Sequence, residues 1–297
     1  MANPLRLATE SIAGQRPYQE DAVLAETLSD GRTLVAVADG MGGHAAGEVA
    51  SALALEALRE TVQSGMSLSA AFRAANERVH TRAAEPDKLG MGTTLVAALL
   101  DGDSFRVANV GDSRAYLLSA QGMRRLTEDH SFVAEAVRSG QSEVEAMDTP
   151  WRDALTRSVG LEGHVEVDEF GPFPLEECTA LLICSDGLYK TLGDQDLRVL
   201  YGQSSSPEDA ARSLVRAAYD GGSDDNISVA IVEIGEVARD GRTAGGAQDE
   251  DTVLDLAPVH RRAPGTRWLD DPEAPVGTVV AAVLIGLMLL SVLIFGS

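Results

Sequence analysis

Short runs of branched aliphatic residues recur along the chain, and an acidic residue stands at one end of nearly every run. Asp21 opens Ala22 to Glu26, and Asp39 closes Thr33 to Ala38. Further runs cover Thr94 to Leu100, Phe105 to Val110, Ala180 to Cys184 and Ile227 to Ile234. Runs this short, rich in Val, Leu and Ile, predict strands. The tight turns Asp30-Gly31 and Asp101-Gly102 join neighbours as antiparallel hairpins. A hairpin sets the start of its first strand beside the end of its second. Glu20, Asp21 and Asp39 therefore share one sheet edge, and the second hairpin brings Asp112 to its own open end. Asp186 follows one strand and Asp225 opens another, so antiparallel pairing of those two strands would add both to the same mouth.

Two helical patterns separate the hairpins. Val49, Ala50, Leu53, Ala54, Ala57 and Leu58 repeat at helical spacing within 45–62, as do Leu68, Phe72, Ala75 and Val79 within 67–84. Strands joined by tight turns, with helices inserted, predict an α+β fold of stacked antiparallel sheets flanked by helices. With 44% hydrophobic but only 4% aromatic residues, the core is expected to be aliphatic.

So many carboxylates at one mouth repel one another, and cations relieve that repulsion. Oxygen ligands with no histidine or cysteine pattern suit hard ions such as Mg²⁺ or Mn²⁺. Taken singly, each aspartate could be a turn former or helix cap. As a set, with Gly40, Gly42 and Gly43 beside Asp39 and Gly187 beside Asp186, they read as a metal site. A formal net charge of −22 argues against a nucleic-acid partner, whose phosphates reward clustered Lys and Arg. Cys178 and Cys184 lie in or beside an apolar run and read as core residues. Their number and the absence of an apolar leader point to a reducing compartment.

Arg16, Glu20-Asp21, Val37 to Gly43, Gly92-Thr93-Thr94, Val110 to Arg114, Leu126 to Ser131, Leu155-Thr156-Arg157, Cys184 to Leu188 and Asp224-Asp225-Asn226 occur in the order found in PP2C phosphatases. The chain resembles that metal-dependent serine/threonine protein phosphatase family, in its bacterial form, over residues 11 to 230. The resemblance implies a four-layer α-β-β-α sandwich of two antiparallel sheets flanked by helices, in a domain spanning 1–235. It also implies two Mn²⁺ or Mg²⁺ ions. Asp39 would bridge them, with Asp186 and Asp225 on one, the Gly40 carbonyl on the other, and Glu20 acting through water. Asp112 matches the position of a third, weaker ion. Asp21 would orient the attacking water, and Arg16 would clamp the substrate phosphate with its planar fork. Residues 132–159 correspond to a variable flap.

The implied reaction is direct attack of water on a phosphoserine or phosphothreonine ester, with no phospho-enzyme. One departure concerns Met41, where many eukaryotic members carry a histidine thought to protonate the leaving group. His44 or a metal-held water would serve instead, and His130 reads as structural. The expected partners are phosphoproteins and a cognate serine/threonine kinase. Two alternatives are an inactive relative that binds a partner, and a phosphoesterase of nucleotides or metabolites. Presence of Asp39, Asp186 and Asp225 weighs against the first.

Beyond the domain, 236–275 is rich in Gly, Ala, Pro, Arg and Asp without periodicity and reads as a flexible linker. Val276 to Phe295 carries no charge, and as a helix it would span about 30 Å, enough for a bilayer core. It is expected to be a single transmembrane helix in the inner membrane. Arg261, Arg262 and Arg267 upstream, and the missing leader, favour a cytoplasmic catalytic domain.

Overall fold

A computed structural model describes residues 4–42 and 46–235. The elements run β1 (Leu5–Ile12), β2 (Asp21–Thr27), β3 (Thr33–Met41), α1 (Ala46–Gln63), α2 (Leu68–Ala83), β4 (Gly92–Thr93), β5 (Leu95–Asp101), β6 (Ser104–Val110), β7 (Arg114–Ser119) and β8 (Gly122–Arg125). They continue with α3 (Phe132–Arg138), α4 (Glu143–Met147), β9 (Asp168–Pro174), β10 (Ala180–Cys184), α5 (Asp186–Tyr189), α6 (Asp194–Gln203), α7 (Pro207–Asp220) and β11 (Ile227–Ile234).

Two antiparallel sheets form. One is ordered β1-β11-β10-β7-β8, and the other β2-β3-β5-β6-β9 with β4 pairing to β3. Both predicted hairpins are present, with Asp21 opposite Asp39 in one register and Leu95 opposite Val110 in the other. The central strands are buried on both faces, which is why they read as unbroken aliphatic runs rather than alternating ones.

The alternation shows instead in which layer each residue joins. In β3, Val35 and Val37 pack between the sheets with Leu181, Ile183, Ala230 and Val232 from the opposing strands. Leu34, Ala36 and Ala38 face the other way, onto Ala50, Ala54, Leu58 and Phe72 of α1 and α2. On the second sheet, Leu182, Cys184, Val229 and Ile231 turn outward to Leu197, Ala210, Leu214 and Ala218 of α6 and α7. The four-layer sandwich is therefore observed. Small alanines along α1 and α7 let helix and sheet approach closely, and the scarcity of aromatic residues fits layers built this way.

Ser67 caps α2 by accepting a hydrogen bond from the Ala70 N–H, and Ser206 caps α7 by accepting one from Asp209. Cys178 and Cys184 are buried free thiols, as expected. Among the described residues no helix is long and apolar enough to cross a membrane. The linker at 236–275, the proposed membrane helix at 276–295, Gly43 and His44 all lie outside the described residues.

Candidate active site

Carrying the strand alternation to the ends of the sheets builds the site. Asp39 continues the inward-facing series Val35 and Val37, and Asp21 lies directly opposite it. Ser185 continues Leu181 and Ile183 from the other sheet, and its Oγ donates to Asp21 Oδ2 at 2.7 Å. The site thus lies where the inter-sheet core runs out and polar residues replace valine and isoleucine.

Asp39, Glu20 and Arg16 are each held by named neighbours. The Asp39 N–H donates to Thr94 Oγ1 at 3.0 Å, and its carbonyl accepts from Thr93 Oγ1 and the Thr94 N–H, both at 2.8 Å. That explains Gly92-Thr93-Thr94: the threonines fix the backbone of the central carboxylate. Asn226 does the same for the loop before β2. Its Oδ1 accepts from the Glu20 N–H at 2.8 Å, while Nδ2 donates to the Ala13 and Tyr18 carbonyls, each at 2.9 Å. Arg16 is carried on this loop. Its Nη2 donates to Asp225 Oδ2 at 2.8 Å and its Nε to the Asp224 carbonyl at 2.9 Å.

The glycines serve close backbone packing. A Cβ on Gly40 would lie 2.1 Å from the Gly47 carbonyl oxygen and 2.5 Å from that of Glu20. One on Gly187 would lie 2.1 Å from the Asn226 carbonyl oxygen, so α5 could not seat beside the Asp225 loop.

The electrostatics follow from this crowding. Burial, then the charges of Asp21, Asp186, Asp112 and Asp225, holds the Asp39 carboxyl well above the usual carboxylate range. Asp21 is pushed up to about 7 by burial and by Asp186 and Asp225, against the pull of hydroxyl hydrogen bonds. Asp112 is raised to about 7, first by burial and then by Asp186, while Lys190 opposes the rise. Burial and Asp186 raise Asp225 as well. Asp21 stands opposite Asp39, Ser185 joins Asp21 to the start of α5, and Gly187 packs on the Asp225 loop, which gathers Asp21, Asp39, Asp186 and Asp225 at one sheet edge. Glu20 adjoins them through its backbone, whose carbonyl accepts from the Gly40 N–H at 3.2 Å.

Three buried oxygens there have no hydrogen-bond partner: Glu20 Oε1, Asp21 Oδ1 and Asp186 Oδ1. Leaving buried carboxylate oxygens unpaired is costly, and a bound cation would satisfy them. The donor set is all oxygen, so it fits Mg²⁺ or Mn²⁺. Among the described residues, however, no group of three acidic, histidine or cysteine side chains is arranged to hold a metal ion. Two side-chain cations reach into the cluster instead, Arg16 on Asp225 and Lys190 on Asp186, the latter at 2.7 Å.

Comparison with known proteins decides the family. A family model described as Protein phosphatase 2C matches residues 10–218. The chain belongs to the protein phosphatase 2C family. Over 230 residues it is 39% identical to a serine/threonine phosphatase, Stp, of Listeria welshimeri, covering 73% of this chain and 91% of that protein. The protein phosphatase PhpP of Streptococcus pneumoniae is 34% identical over 236 residues, covering 76% and 95%. Among solved structures, the serine/threonine phosphatase Stp1 of Staphylococcus aureus superposes with a TM-score of 0.73 at 31% identity, covering 80% of this chain and 97% of that one. With this membership the chain is a PP2C-type serine/threonine protein phosphatase.

The sequence alone gives no role to Thr93, Thr94, Ser185, Asn226 or Lys190. Asn226 and Ser185 lay inside quoted motifs but were not assigned one. Lys190 follows Asp186 by one helical turn, a spacing at which a lysine can pair with an aspartate. His130 is buried and structural. Its Nδ1 accepts from the Gly111 N–H at 3.1 Å, so its Nε2 carries the proton and donates to Asp168 Oδ2 at 3.1 Å. The backbone next to Asp112 is thereby tied to β9.

Proposed function

We propose that the chain hydrolyses phosphoserine and phosphothreonine esters on proteins with two divalent cations, Mn²⁺ or Mg²⁺, held by Asp39, Asp186, Asp225, the Gly40 carbonyl and, through water, Glu20. The observation that carries this reading is the set of unpartnered buried oxygens on Glu20, Asp21 and Asp186 around the Asp21–Asp39 pair. Bound cations would supply positive charge against the phosphate and lower the pKa of water to near neutrality.

The protein's own groups do the rest. Arg16, half exposed beside Asp225, is placed to move its fork from that carboxylate onto two phosphate oxygens. Asp21, with Oδ2 fixed by Ser185, presents Oδ1 as the acceptor that orients a water. Thr93, Thr94 and Asn226 hold the backbones of Asp39 and Glu20, so the site is assembled before substrate arrives. The acidic surface disfavours nucleic-acid substrates.

The same reading extends to the cell. An uncharged segment at Val276 to Phe295 would anchor the phosphatase at the inner membrane with its catalytic domain cytoplasmic, where it would reverse a serine/threonine kinase. The deciding assay incubates the full chain, in detergent, with a phosphothreonine peptide, with ATP and with p-nitrophenyl phosphate, each with Mn²⁺ and with a chelator. Mn²⁺-dependent phosphate release from the peptide is expected. Release from ATP alone would indicate a small-molecule phosphoesterase, and no release from any substrate would leave a binding protein.

A further inference from the structure

Lysine is scarce here, confined to Lys88 and Lys190 in a chain that otherwise draws its positive charge from arginine. Lys190 stands just past α5, one turn after Asp186. Its Nζ lies 2.7 Å from Asp186 Oδ2 and 3.4 Å from Asp153 Oδ1 in the segment between α4 and β9. Asp186 is therefore divided. Oδ2 is taken by the ammonium, while Oδ1 is buried and free of partners. The positive charge of Lys190 also acts on Asp112, the residue that the family resemblance ties to a third, weaker ion.

We propose that the Lys190 ammonium takes the place of a third divalent cation between Asp112 and Asp186, so that this phosphatase holds two ions rather than three. The inference rests on the two-metal reading above and departs from the family expectation at one position. A third ion beside Asp112 would need an oxygen of Asp186. The Oδ1 atom is the one left for the two-ion centre, and Oδ2 carries a fixed positive charge at hydrogen-bond distance. A hard divalent ion entering there would displace a charge-assisted hydrogen bond and meet a like charge a few ångströms away. The ammonium supplies one positive charge without exchanging with solvent. Through Asp153 it also ties the segment that follows α4 to the acidic cluster.

Counting bound ions tests this directly. The full chain in detergent is dialysed against about 1 mM Mn²⁺, in the range where weak carboxylate sites fill, and the metal per chain is measured. Isothermal titration gives the affinities. Native protein is expected to bind two ions, and Asp112→Asn should leave that count at two. Lys190→Asp and Lys190→Gln are each expected to bind a third ion at least about ten-fold more tightly than native protein does. Adding Asp112→Asn to either variant should remove the third ion. Lys190→Gln keeps a long polar side chain and removes a single charge, so it reads out even if Lys190→Asp does not fold. A native count of three that falls to two in Asp112→Asn overturns the proposal, as does a folded Lys190→Gln that stays at two. A native count of zero overturns the two-metal reading and this inference together.

Discussion

Asp39 is placed by β-sheet alternation in a position that a valine or isoleucine would otherwise fill, and it is surrounded by Asp21, Asp112, Asp186 and Asp225. Its charge is therefore a burden on the metal-free fold and the centre of the proposed chemistry. Asp39→Asn should lower Mn²⁺-dependent turnover of a phosphothreonine peptide by about a thousand-fold or more. Its melting temperature in chelator should equal or exceed that of native protein, because removing one of several like charges relieves repulsion. A variant that melted lower in chelator would mean that Asp39 is structurally required. The carboxylates themselves were legible in the sequence, because strand ends and Asp-Gly turns place them. Lys190, Ser185 and Asn226 were not. Their roles depend on contacts between segments far apart in the chain, such as Asn226 with Glu20 and Ser185 with Asp21, and no periodicity within one segment encodes those.

Among the elements, strands with an unbroken aliphatic run and the long helices α1 and α2 were legible, whereas β1, β7, β8 and β9, which lack such a run, were not. β3, β5, β6, β10 and β11 announce themselves as aliphatic runs, and α1 and α2 were placed within a residue of their observed ends. β1 pairs along its whole length with β11 but sits at the sheet's edge, with Arg6, Thr9, Glu10 and Ser11 among its residues, so no run marks it. β8 and β9 are also edge strands, and β9 is interrupted by Gly171-Pro172. Strand order was not readable either. β7 pairs with β10 although β9 intervenes in sequence and joins the other sheet. β9 matters for the site because Asp168 receives His130 Nε2–H and Arg157 Nη1 at 3.1 and 2.8 Å. Burial pushes the Asp168 carboxyl up, but these two partners outweigh it and hold it at about 2. A folded pKa below the ordinary aspartate value of about 3.9 means that the carboxylate stabilises the fold above roughly pH 4, and that this contribution fades as the pH falls toward 2. Asp168→Asn should thus cost about 1–2 kcal/mol at pH 7, with the difference from native shrinking below about pH 4. Denaturant melts at pH 7 and pH 3.5 would show it. An equal loss at both would assign the effect to lost packing.

At the scale of the domain, the inter-sheet core and the candidate active site are one continuous layer, apolar along most of its length and acidic at one end. Ile183 is fully buried two residues before Ser185 on the same strand face. Ile183→Ala should cost about 2–5 kcal/mol of stability and weaken the seat of Ser185 with it, read as a drop in denaturation midpoint. The same continuity sets the limits of the active unit. Every proposed site residue, from Arg16 to Asp225, lies before the sheet pairing that closes at Ile234, and the Gly235 N–H seals the sheet end by donating to the Pro4 carbonyl at 2.9 Å. A chain ending at Gly235 should fold, keep its Mn²⁺-dependent turnover on the peptide, and stay in the supernatant when membranes are pelleted, whereas the full chain sediments with them. Loss of turnover on truncation would mean that the tail contributes to the site. A truncated chain that still pelleted would remove the ground for a membrane anchor at Val276 to Phe295.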